Sequence, residues 1–179
     1  MVSGRTRSQK RRARQMATRS IITVSSTVNK KTESIYCHWD GYPKGVGVML
    51  ARSYPEIAHA YELIKNGDCS SLGFTIEECR FFKDTKGGEY PATENESVEH
   101  CLNEYLPGVD EDRFSGIEFV YVHFGGLWFV GSQFEDLSID KDNHKLLPVK
   151  FGRHKLYSLA EVLFGKGSKS IKRIEELMQ

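Results

Sequence analysis

Eleven consecutive residues, Cys37 to Gly47 (CHWDGYPKGVG), bring together a thiol, an imidazole, a carboxylate, two aromatic rings and an ammonium. Glycines at 41, 45 and 47 let backbone N–H groups face outward, and a helix starting just after them would present its positive end. That combination describes an anion-accepting concavity. Lys44 would add a charge, and Trp39 or Tyr42 a ring to stack on a base. The same residues also fit plain architecture. A glycine-rich turn after a strand is often only a tight bend, which Asp40 can close through a local side-chain hydrogen bond. Trp39, sharing a face with Ile35, then belongs to the core. The spacing departs from the Walker pattern G-x-x-x-x-G-K-[ST]. The candidate ligand- or partner-binding residues are Trp39, Asp40, Gly41, Tyr42, Lys44, Gly45 and Gly47.

Acid–base chemistry has fewer candidates. Cys37 and His38 are adjacent on an extended segment and point to opposite faces, so they do not serve each other as nucleophile and base. His38 and Asp40 share a face, and a carboxylate there would orient the imidazole, with His123 as a third partner arriving from elsewhere. The dipeptides Cys37-His38 and His100-Cys101 mirror each other but lack the short ligand spacing of a zinc site. No metal and no other cofactor is expected. A third constellation is acidic: Glu94, Glu96, Glu99, Glu104, Asp110, Glu111 and Asp112. Such a tract is either a solvated helix face and loop or a mimic of nucleic acid that occupies a basic channel on a partner.

Positioning these residues takes a folded domain, and the chain is large enough to make one. Its 179 residues, 39% hydrophobic and 11% aromatic, exceed what disorder tolerates and fit a single core. No apolar run is long enough to cross a bilayer, and no apolar stretch follows the N-terminal charges as a secretory signal requires. A cytoplasmic protein is the expectation. Cys37, Cys69, Cys79 and Cys101 contain no C-x-x-C pair and read as free thiols in a reducing compartment.

The formal net charge of +1 conceals a division. Residues 1–32 hold nine Lys or Arg and no acid, leaving 16 basic against 24 acidic side chains in the rest, a net of −8. The body repels nucleic-acid backbone and the N-terminal stretch attracts it. Residues 1–15 carry six basic residues and almost nothing to bury, so they read as a disordered arm. Met16 resembles a natural start. The arm is then a start codon assigned too early, a leftover of expression or a true nucleic-acid-binding extension. Nucleic acid is an expected partner only in the last case.

Residues 16–179 read as one α+β domain. Thr18–Val28 and Glu33–Asp40 form a first hairpin around Asn29–Thr32, and 116–124 with 127–134 form a second around Gly125-Gly126. Helices are expected from Val46, after Pro55 up to Gly67, and from a Ser97 cap through Tyr105. Two more are expected near Leu156–Phe164 and Ser168–Leu177, with a short edge strand at Leu146–Phe151. Residues 68–96 stay open between strand and helix. Two hairpins among several helices imply an antiparallel sheet with helices packed mainly on one face.

One further pattern concerns origin. Thr18-Arg19-Ser20-Ile21-Ile22, followed by Asp40-Gly41-Tyr42-Pro43 and Gly45-Val46-Gly47, resembles a group of small phage and prophage proteins with an opening "TRS" strand and a D-G-Y-P-x-G-x-G turn. The resemblance covers residues 16–67 and lends no catalytic residue. By analogy of origin it implies an accessory protein that binds and disables a host defence protein or nuclease complex, of the anti-CRISPR kind. The alternative is a nucleotide-binding or nucleotide-cleaving domain using the Asp40–Gly47 loop and His38.

Overall fold

The computed structural model describes residues 17–107 and 116–168, which hold nine strands and five α-helices. The strands are β1 (Ser20–Ser25), β2 (Thr32–Cys37), β3 (Cys69–Ser71), β4 (Arg80–Phe81), β5 (Thr93–Asn95), β6 (Phe119–Phe124), β7 (Leu127–Ser132), β8 (Val149–Phe151) and β9 (His154–Ser158). They form one sheet in the order β4-β3-β2-β1-β6-β7-β9-β8, with β5 pairing the free end of β2. The helices are α1 (Val48–Ser53), α2 (Ile57–Ile64), α3 (Phe82–Thr85), α4 (Val98–Tyr105) and α5 (Leu159–Phe164).

Both expected hairpins are present. Gly125 and Gly126 have φ of 60° and 84°, the mirror-image turn whose twist matches the flanking strands. The sheet is nevertheless mixed rather than antiparallel, because β1 runs parallel to β6 and β2 parallel to β3. The reason lies in β1 and β6 themselves. Their runs SIITVS and FVYVHF are buried on both faces, as suits inner strands laid side by side, and the helical crossover between them sets both in the same direction.

Each face has its own cover. Ile22, Val24, Ile35, Phe119, Tyr121 and Val130 meet Leu50 of α1, Ala60, Leu63 and Ile64 of α2, and Leu159 of α5. On the opposite face Ile21, Val120, Val122 and Phe129 meet Val98, Cys101 and Leu102 of α4. Helices thus lie on both faces, with the larger share on the first. Ser97 caps α4 as expected, its Oγ accepting the His100 N–H at 3.0 Å.

Residues 68–96 resolve into β3, a 3₁₀ turn at Ile76–Glu78, β4, α3 and β5. The expected helix at 156–164 begins only at Leu159, because Tyr157 and Ser158 are paired with β7. Residues 1–16 and the predicted helix at 168–177 lie outside the described region, apart from Ser168. Among the described residues no helix is long and apolar enough to cross a membrane.

Candidate functional site

The segment singled out by its residue types lies where β2 ends. Cys37 pairs with Ser20 of β1 and Cys69 of β3. The chain then continues along β3, with His38 N–H donating to the Cys69 carbonyl and Trp39 N–H to that of Ser70. Pairing to β1 has stopped, so the two-residue alternation lapses. Trp39, expected in the core, is 44% exposed. Asp40 adopts a φ of 58° and turns the chain.

The loop that follows is clamped from inside. Gly41 donates to the Thr18 carbonyl at 2.8 Å and accepts the Tyr121 hydroxyl at 2.7 Å. A Cβ on Gly41 would stand 2.7 Å from the Thr18 oxygen, and one on Gly45 would run into the Asp40 carbonyl. Gly45 N–H donates to Tyr42, and Val46 N–H to Asp40. Gly47, the end of a π-helical turn over Pro43–Gly47, packs against Leu159 and Tyr121. These three backbone donors, on Gly41, Gly45 and Val46, are spent on the loop and the sheet rather than offered to an anion. Its side chains do the opposite. Tyr42 is 41% exposed, and Asp40 and Lys44 are exposed too. The Tyr42 hydroxyl donates to Asp40 Oδ1 at 3.3 Å, and the nearby carboxylate, with lesser burial, raises the phenol's pKa.

His38 is paired, but not with Asp40. The Tyr36 hydroxyl lies 2.6 Å from His38 Nδ1. Burial raises the Tyr36 pKa, and burial followed by the charges of Arg19 and Lys86 lowers that of His38. Both groups are therefore neutral at pH 7, so the phenol donates to Nδ1 and the imidazole N–H sits on Nε2. Around them stand residues that the sequence did not single out. The Arg19 charge bears on both the Tyr36 phenol and His38. Phe82 lies 6.4 Å from the Tyr36 ring and 5.5 Å from Tyr90, and Lys86 Nζ sits 4.0 Å above Phe82. Asp68 accepts the Tyr36 N–H at 2.8 Å, capping the edge of β2. The i, i+2 alternation from Tyr36 to His38 was visible in the sequence. Arg19 entered the sequence reading only through the T-R-S pattern, and Lys86 carried no signal.

His123 does not complete a triad. It lies on the face that receives α1 and α2, opposite Val24, whereas Phe119 marks the β6 position nearest His38. Four residues of strand separate the two sites by about 13 Å. Buried beneath Pro55, His123 donates from Nε2 to the Pro55 carbonyl at 3.0 Å and meets Trp128 edge-on at 4.9 Å. Among the described residues its Nδ1 has no partner, and burial lowers its pKa.

Cys37 and Cys101 fall on opposite faces of the sheet, so the mirrored Cys-His dipeptides do not converge. All four thiols are free and buried. Among the described residues, the group whose spacing would suit a metal is Asp140, Asp142 and His144. Burial disfavours the Asp140 charge, but the N–H groups of Lys166, His144 and Asp142 and the His144 ring outweigh it and hold the carboxyl far below its usual range. With its oxygens so engaged, Asp140 ties its own loop to the turn after α5.

The acidic tract is divided. Glu94, on edge strand β5, stands directly opposite Glu33 on the α2 side, a like-charge pair. Glu99 and Glu104 project from α4 on the other side, and Glu96 lies between. All four are exposed, and the ion pairs between described residues, Lys141–Asp142 and His144–Asp140, involve none of them. Asp110, Glu111 and Asp112 lie outside the described residues.

Comparison with family models, with curated proteins and with solved structures finds no match to this chain.

Proposed function

We propose that the chain is a phage-type accessory protein that disables a bacterial defence component, of the anti-CRISPR kind, by stoichiometric binding. The observation that carries this reading is the loop after β2. Its glycines are packed inward against the sheet while Trp39 and Tyr42 are held outward, both more than 40% exposed. Aromatic side chains on a rigid support lose little conformational freedom when a partner covers them, and such residues dominate interface energetics. The exposed carboxylates of Glu94, Glu96, Glu99 and Glu104, in no ion pair among the described residues, add a field that steers toward a basic surface.

The test is inhibition of a panel of purified defence nucleases by the full chain. One enzyme is expected to lose activity at equimolar protein, and the Trp39→Ala/Tyr42→Ala double variant to be at least about tenfold weaker. An untouched panel, or a double variant as potent as the parent, contradicts the proposal.

The alternative of a nucleotide-binding or nucleotide-cleaving domain finds the Gly41, Gly45 and Val46 amides already engaged within the fold. It keeps one specific support, the Tyr36-paired His38 with Nε2–H unengaged among the described residues.

A further inference from the structure

The surface beside His38 has a composition that the partner-binding loop does not explain. In a body that is net acidic, two cations converge there. Arg19 directly precedes Ser20, which pairs with Cys37, so it stands beside His38, and Lys86 lies over Phe82; the charges of both bear on His38. Neither is ion-paired with a described carboxylate, and both are exposed. Asp68 is half-buried and already accepts the Tyr36 N–H.

The imidazole between them is fixed rather than free. With the phenol donating to Nδ1, the ring's remaining N–H on Nε2 is a third donor at the same place. Beyond it His38 touches Trp39 edge-on, with ring centroids 4.7 Å apart, and the Trp39 ring is exposed. Three donors beside an exposed ring match one ligand chemistry. Charge-assisted hydrogen bonds hold phosphate oxygens, and an indole offers a stacking surface to a base without regard to its identity.

We infer that Arg19, His38 and Lys86 bind the phosphate of a nucleotide whose base stacks on Trp39. The ligand is either a free mononucleotide or one residue of a single strand, since both present the same base and phosphate. The cradle is therefore the open end of β2, not the glycine loop. The site is independent of the proposed partner interface in its cations, which the interface does not use, and in Tyr42, which the site does not use.

Calorimetry on the full chain tests it with AMP, ATP, a ten-residue oligothymidylate and inorganic phosphate as probes. A nucleotide or the oligonucleotide is expected to bind, with Arg19→Gln and Lys86→Gln each weakening it by about tenfold and His38→Gln by less. Tyr42→Ala is expected to leave this affinity unchanged. Binding of AMP or ATP identifies a mononucleotide site, and binding of the oligonucleotide alone identifies a strand site. Silence from all three overturns the inference. So does oligonucleotide binding that survives both cation variants, which belongs to another surface such as the basic N-terminal stretch. Inorganic phosphate binding as tightly as AMP overturns the stacking half. Thermal melts of the three variants, expected to match the parent, separate loss of ligand from loss of fold.

Discussion

His38 and His123 lie at opposite ends of one sheet, and the contrast between them locates function better than residue type does. His123 is sealed under the Tyr54–Pro55 link, where Trp128 Nε1 also donates to the Tyr54 carbonyl at 2.7 Å. Everything near it fastens the α1–α2 connection to the strands. His38 stands where β2 outruns its pairing with β1, and a phenol, two cations and an exposed indole collect around it. The lesson is positional. A strand interior turns a histidine into packing, and a strand end leaves it available.

That contrast predicts stability effects at the sealed end and in the inward-facing glycines, and binding effects at the open end. The largest loss is expected from Gly45→Ala, whose Cβ has no room beside the Asp40 carbonyl, at about 2–3 kcal/mol by urea unfolding. A cost under about 0.5 kcal/mol would mean that the loop is loose and its outward side chains are not preorganised. Next comes Tyr121→Phe. It leaves the Gly41 carbonyl without its buried donor and is expected to cost about 1–2 kcal/mol.

His123 gives a smaller, pH-dependent effect. Burial favours its neutral form, so its folded pKa lies below the ordinary value of about 6.5. Between those two values the unfolded chain binds more protons, so this contribution is complete above about 6.5 and declines as pH falls, levelling off beneath the folded pKa. The parent is therefore expected to lose more stability between pH 7.5 and 5.5 than His123→Gln does, as read by melting at the two pH values. Equal losses would show that His123 is not the sensor. At the open end, His38→Gln and Trp39→Ala are expected to change stability by no more than about 0.5 kcal/mol, since neither side chain is part of either core. A larger change would move that end into the same structural class as His123 and erase the distinction.

Much of this frame was legible in the residues. The Gly125-Gly126 turn, the Ser97 cap and the periodicity of α2 are short-range signals, and each is in place. The parallel pairing of β1 with β6 was not legible, because it depends on where a long crossover returns the chain. Strands β3 and β5, at three residues each, are too short to show a period. Trp39 was misplaced because strand alternation was extended two residues past the last rung to β1. At the site, the loop's ambiguity between cradle and bend turned on where its N–H groups point, which composition does not encode. Arg19 and Lys86 meet His38 only through the fold.

The most direct test of the central claim is paired native mass spectrometry. The full chain and its Trp39→Ala/Tyr42→Ala variant are used as bait in the same bacterial lysate rich in immune effectors. The parent is predicted to retain one protein partner at a fixed stoichiometry, and the variant, equally stable, to lose it. Retention of the same partner by both, or by neither, would contradict a binding function centred on the clamped loop.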